Sequence, residues 1–255
     1  MKSGLWTVLG VTLAAGLASY LAAAPARASD PEQICDVPAN LLSTDSSLRK
    51  VAEAVQNGQP LNVLVIGSRS STIPSSEASA YPAKLQAALK ESLPTTTVNL
   101  SVELQGAKTA GESAETLVKL VETKKPTLVI WQTGTVDAIR STDPDDFRSA
   151  LDAGIGALQQ AGTDVVLVNL QYSPRTESMI SGSPYLDNMR VSAQEHDVPL
   201  FDRFAIMHHW NDAGDFDLFS SAHGVELAKR VHACLGRALS KFVIDAAHLG
   251  PAQQN

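Results

Sequence analysis

The sequence predicts an α/β fold, a three-layer sandwich in which helices cover both faces of a parallel sheet. Short apolar, β-rich runs alternate along the chain with segments of helical period. The runs are near-continuously apolar, as strands buried on both faces are. No linker, repeat or low-complexity tract interrupts the series.

The elements follow in order. Leu61–Ile66 is a strand leading to a helix near Tyr81–Glu91; Thr96–Val102 leads to Gly111–Lys124, and Thr127–Trp131 to Pro144–Gln160. Asp164–Leu170 leads to Tyr185–Glu195, and a short Val198–Phe201 strand precedes the last helices. Pro144 suits a first helical turn, with Asp143 placed to cap it and Asp145 and Asp146 favoured by the positive end of the dipole. Gly162 closes that helix. Ligands of such sheets bind outside the carboxyl ends of the strands. The loops to read are therefore Gly67–Ala80, Gln105–Ala110, Thr133–Ser141, Gln171–Gly182 and Asn211–Ala222.

The N-terminus reads as a secretory signal over residues 1–28. Lys2 precedes an apolar run from Leu5 to Ala24 that ends in Ala26-Arg27-Ala28, a small-x-small cleavage pattern. A retained membrane anchor is the alternative, against which Thr7, Thr12, Gly16 and Ser19 interrupt the run. Residues 29–255 then form one domain, exported to the periplasm or beyond, with no membrane span after cleavage. The 27 acidic side chains outnumber the 20 basic ones for a net charge of −7, and no basic patch stands out, which argues against nucleic acid as a partner. In an exported chain the two cysteines, Cys35 and Cys234, read as one disulfide; two buried thiols are the alternative.

The loops carry a resemblance. Gly67-Ser68-Arg69-Ser70-Ser71-Thr72 follows the first strand, Gly106 the second, Gly134-Thr135-Val136-Asp137 the third, and His223-Gly224-Val225-Glu226 opens the last helix. Their order resembles the SGNH (GDSL-type) hydrolases, and Cys35-Asp36-Val37-Pro38-Ala39 is similar to the opening of exported proteobacterial members. The resemblance implies a flavodoxin-like, five-stranded parallel sheet and serine esterase ancestry. In that superfamily a serine is activated by a histidine, which an aspartate three residues earlier orients. The serine amide, a glycine amide and an asparagine side chain form the oxyanion hole.

Carried over by position, four of these five places have changed. Arg69 stands at the nucleophile, Val136 at the asparagine, His223 at the aspartate and Glu226 at the histidine, while Gly106 is kept. Arginine stays protonated, valine donates no hydrogen bond, and an ordinary glutamate is a poor base at neutral pH. The reading is a rebuilt pocket lined by Ser68, Arg69, Ser70, Gly106, Thr135, Val136, Asp137 and His223, with Arg69 expected to pair with Glu226. The protein would then bind an acylated glycan, a small ester or a partner protein. The alternative is an active serine esterase or acyl-glycan deacetylase. One inserted residue would put Ser70 at the nucleophile, with His223 as base and Glu226 or Asp217 orienting it.

Other clusters suggest no further chemistry. His208, His209, Asp212, Asp215, Asp217 and His223 crowd one stretch, yet they lack both the closing glutamate of a calcium loop and a His-x-x-x-His pair, so no metal site is expected. Gly154-Ile155-Gly156 lies inside a helix without a third glycine at the fingerprint spacing, so no nucleotide cofactor is expected either. Trp131, Tyr172 and Trp210 read as core aromatics rather than a sugar platform.

Overall fold

The structure, a computed structural model, describes Met1 and residues 35–219 and 224–250. The segment read as a signal, Met1 apart, and His223 lie outside the described residues. The strands are β1 (Leu61–Gly67), β2 (Val98–Leu104), β3 (Leu128–Gln132), β4 (Asp164–Val168) and β5 (Leu200–Phe201). They form one sheet in the order β2-β1-β3-β4-β5 with every pairing parallel. The strand order reverses between β1 and β3, so the loops after these two central strands splay apart and leave a crevice at the carboxyl edge.

Among the described residues ten α-helices surround the sheet: α1 (Ala39–Leu42), α2 (Arg49–Gln56), α3 (Tyr81–Ser92), α4 (Ala110–Lys124), α5 (Thr135–Arg140), α6 (Pro144–Gln160), α7 (Pro174–Glu177), α8 (Ser183–Glu195), α9 (Arg203–Asp212) and α10 (Gly224–Ala246). Alternation along the strands builds two cores. Val63, Val65, Leu128, Ile130, Val166 and Val168 face a core with α3, α9 and α10; Leu64, Ile66, Val129, Trp131, Val165 and Leu167 face a second core with α4, α6 and α8. Because successive side chains point to opposite faces, a strand covered on both sides must be apolar throughout. At the α3–α10 crossing, a Cβ on Gly236 would fall 2.4 Å from Lys84 Cβ and 2.8 Å from the Leu85 amide. Glycine is what lets these two helices touch backbone to side chain.

Helix α6 occupies the predicted residues, and the Asp143 carboxylate accepts from the Asp145 amide at 2.9 Å. β1 and β3 differ from their expected bounds by one residue at an end, and the other three strands by two. β2 begins at Val98 rather than Thr96, since the Thr96 amide closes a turn onto the Leu93 carbonyl at 3.0 Å. β4 stops at Val168 because buried Asn169 turns away: its Oδ1 accepts from the Phe204 amide at 2.9 Å and its Nδ2 donates to Asp202 at 2.7 Å. β5 shrinks to the two residues that pair with Leu167 and Val168. Asp202 in turn caps α9 by accepting from the Ala205 amide at 3.0 Å. The end of β4 thereby fixes the first turn of α9, and with it Arg203.

Cys35 and Cys234 are bonded, 199 positions apart in sequence and with their Cα atoms 5.1 Å apart. The bond holds the N-terminal tail on α10, and Trp210 Nε1 donates to the Asp36 carbonyl at 2.8 Å beside it. Among the described residues no helix is long and apolar enough to cross a membrane. Replacing Cys35 or Cys234 by serine should lower the stability of the oxidised protein by about 2–5 kcal/mol. Urea unfolding with and without reductant measures it; an unchanged midpoint would show that the bond contributes nothing.

Candidate functional site

The site is built from the ends of β1 and β3. After Gly67 the chain turns at once into a 3-10 turn, Arg69–Ser71, which Ser68 caps. Ser71 Oγ accepts from the Ser68 amide at 3.2 Å, so closely over the backbone that a Cβ on Gly67 would meet it at 2.1 Å. Only glycine fits there. The turn presses Ser68, Ser70 and Ser71 against one residue on the neighbouring strand, Gln132.

Gln132 ends β3 with 4% of its surface exposed, and its amide organises everything around it. Its Oε1 accepts from Ser71 Oγ at 2.7 Å, Arg203 Nη1 at 3.0 Å and the Tyr81 hydroxyl at 3.1 Å. Its Nε2 donates to Ser68 Oγ and to Ser70 Oγ, both at 2.9 Å. Ser70 Oγ also accepts from Arg203 Nη2 at 3.2 Å. The Ser70 hydroxyl therefore already accepts twice, and Ser68 Oγ lies 3.2 Å from it, within hydrogen-bond reach. Among the described residues, no histidine or carboxylate hydrogen-bonds to Ser70.

Arg203 is 1% exposed, and burial lowers its guanidinium to about 10. Its hydrogen-bond partners are neutral, a glutamine oxygen and a serine hydroxyl, and its Nε has no partner. A buried charge is ordinarily paired, because losing water costs several kcal/mol per ion. Next to it His232 Nδ1 accepts from the Tyr81 amide at 3.0 Å. Burial first, and then the Arg203 charge, hold this imidazole down to about 4, so at neutral pH it is uncharged with its proton on Nε2.

The residues predicted from sequence meet only in part. Ser68, Thr135 and Val136 line a notch with Gln132 and Gln105 whose volume is about 10 Å3, room for a single water. Arg69 is exposed, and its Cγ would stand 4.0 Å from a Cβ on Gly106, so the first two loops are neighbours as expected. The expected Arg69–Glu226 pair is not formed. Glu226 instead pairs with Lys229 at 2.7 Å, one turn along α10, a contact that needs no side chain to span the cleft. Asp137 does not line a pocket: it is 1% exposed, and its two oxygens accept from the Ala110 amide at 3.0 and 3.1 Å, securing the start of α4. Burial pushes its carboxyl above the usual range. Trp131 and Trp210 are core, as read; His208 pairs with Asp212 at 3.0 Å on α9.

Sequence reading missed Gln132, Tyr81, Arg203 and His232. Phe201-Asp202-Arg203-Phe204 sets an arginine two positions past a strand and among aromatics, yet nothing in that pattern marks it for burial rather than exposure.

Residues 34–249 match the sequence model of the Non-GDSL lipase-like family. Among solved structures, TesA is similar at 17% identity and a TM-score of 0.54, over 71% of this chain and 99% of that one. AlinE4, an SGNH-hydrolase family esterase, is similar at 19% and 0.51, over 66% of this chain and 90% of that one. A two-domain esterase (CEX) active on acetylated mannans is similar at 14% and 0.63, over 80% of this chain and 55% of that one. These likenesses are of fold. No curated protein matches the chain.

Two outcomes follow from the network. Gln132→Leu strands Arg203, Tyr81 and Ser71 and should cost about 3 kcal/mol or more, whereas Gln132→Glu gives Arg203 a countercharge and should be milder by about 2 kcal/mol, read by urea denaturation. His232 resists protonation only when folded, so its contribution is complete above about pH 6.5 and is lost as pH falls toward about 4, roughly 3 kcal/mol in all. His232→Asn, which keeps an acceptor for the Tyr81 amide, should flatten the stability–pH curve over that window; an unchanged slope would refute the assignment.

Proposed function

The chain belongs to the Non-GDSL lipase-like family, and we propose that it is an exported member, mature from Ser29, that binds its ligand without hydrolysing it. The observation that carries this reading is the state of Ser70, held by Gln132 Nε2 and Arg203 Nη2 beside a notch of about 10 Å3. A nucleophile needs a free lone pair and space for a carbonyl; here both are occupied. With Val136 at the third loop, the side-chain donor of an oxyanion hole is missing too. The ligand would be an acylated glycan or a small ester taken up by the exposed loops around Arg69 and Gly106; the two-domain esterase acts on acetylated mannans, and this chain shares its fold. Docking of a partner protein on the same loops is the competing form.

One observation favours the active reading. Arg203 Nη2 at 3.2 Å is a cation placed to stabilise an alkoxide on Ser70, which would then attack with His223 as base and Glu226 or Asp217 orienting it. A serine-reactive organophosphonate separates the two. The binding reading expects no adduct by intact mass and the same ester turnover as Ser70→Ala. A stoichiometric adduct that disappears in Ser70→Ala establishes the esterase.

A further inference from the structure

Among the described residues Arg203 is a buried cation without a countercharge, and a cavity adjoins it. The cavity lies between the loop after β4, α9 and α10, and no residue of the serine turn lines it. It encloses about 170 Å3. Arg203 and His232 line it, together with the apolar side chains of Met207, Leu227 and Val231 and the ring of Tyr172.

Each feature restricts what could fill the space. The guanidinium is 1% exposed, receives no carboxylate and keeps an unpartnered Nε, so it lacks a negative charge rather than another neutral acceptor. The uncharged His232 supplies an N–H donor beside it, having given Nδ1 to the Tyr81 amide. Asp202, the nearest carboxylate in sequence, is engaged elsewhere: it caps α9 and pairs with Arg190 at 3.1 Å. Apolar walls suit a ligand with a hydrocarbon body, and cavities of about 150 Å3 hold a benzene-sized molecule. An inorganic anion would leave those walls dry and uncovered. We propose that this cavity binds a small organic monocarboxylate, its carboxylate on Arg203 and His232 and a body of about benzene size against Met207, Leu227 and Val231.

This goes beyond the binding reading and does not depend on it, because the site needs no bond to break and no contribution from the exposed loops. Benzoate is the probe, with benzyl alcohol as its uncharged counterpart and sulfate as a purely inorganic anion. On the full-length mature protein, saturating benzoate should raise the melting temperature by a few degrees, with benzyl alcohol binding at least about tenfold more weakly, the scale of one charge-assisted hydrogen bond. Ala228→Phe, which fills the cavity from a half-buried position on α10, should abolish the shift, as should Arg203→Met. Should Arg203→Met fail to fold, Ala228→Phe and the alcohol comparison decide alone. Benzoate binding that survives Ala228→Phe, sulfate binding as tightly as benzoate, or no shift at 20 mM, about the concentration that would saturate a millimolar site, would each overturn the proposal. A phosphonate adduct on Ser70 would end the non-catalytic reading without touching this one, since benzoate binding is read on the unmodified protein.

Discussion

The structure turns on a buried guanidinium, unpaired with any carboxylate among the described residues and held at the carboxyl edge of the sheet by one glutamine. Gln132 reconciles Arg203 with its surroundings: its carbonyl oxygen takes the charged donor together with two hydroxyls, and its amide nitrogen sends hydrogen bonds on to Ser68 and Ser70. A carboxamide accepts and donates in the same plane, which is why it can bridge a cation on one side and hydroxyl oxygens on the other. In the low dielectric of the sheet edge such a network is strong when complete and costly when any member is missing.

Other features of the fold support that arrangement. Gly67 lets the serine turn fold down onto β3, and the Asn169–Asp202 link between β4 and α9 sets Arg203 in place before its side chain crosses to the turn. Tyr81, at the start of α3, contributes its hydroxyl to Gln132 and its amide to His232, tying the helix layer to the same centre. The result is a switch-point crevice, where folds of this kind ordinarily keep a ligand, filled by side chains of the protein itself, with a separate cavity beside Arg203.

The fold was legible because burial on both faces of a sheet leaves its mark residue by residue, as in Val63 to Ile66, which alternate between two cores without a polar interruption. Boundaries were less so: Asn169 and Thr96 end or delay strands through hydrogen bonds that depend on partners far along the chain or on a local turn. That Arg69 and Val136 stand in these loops was visible directly, but the side chains that gather around the serine turn were not. Arg203 reaches Ser70 across 133 positions, and no local pattern distinguishes an arginine that will be buried from one that snorkels to water. The Arg69–Glu226 pairing was inferred from two opposite charges at related positions, and it failed because an exposed glutamate finds a lysine on its own helix at less entropic cost.

The most direct measurement is hydrogen exchange of the Gln132 side-chain amide, followed by NMR in protein labelled at its glutamines. A sealed centre requires both Nε2 protons to exchange only through opening of the domain, slower than a free glutamine amide by a factor of about 10³ or more. Exchange within about tenfold of the free amide would mean that the crevice is open to water and the serine turn mobile, and that Ser70 is available for chemistry after all.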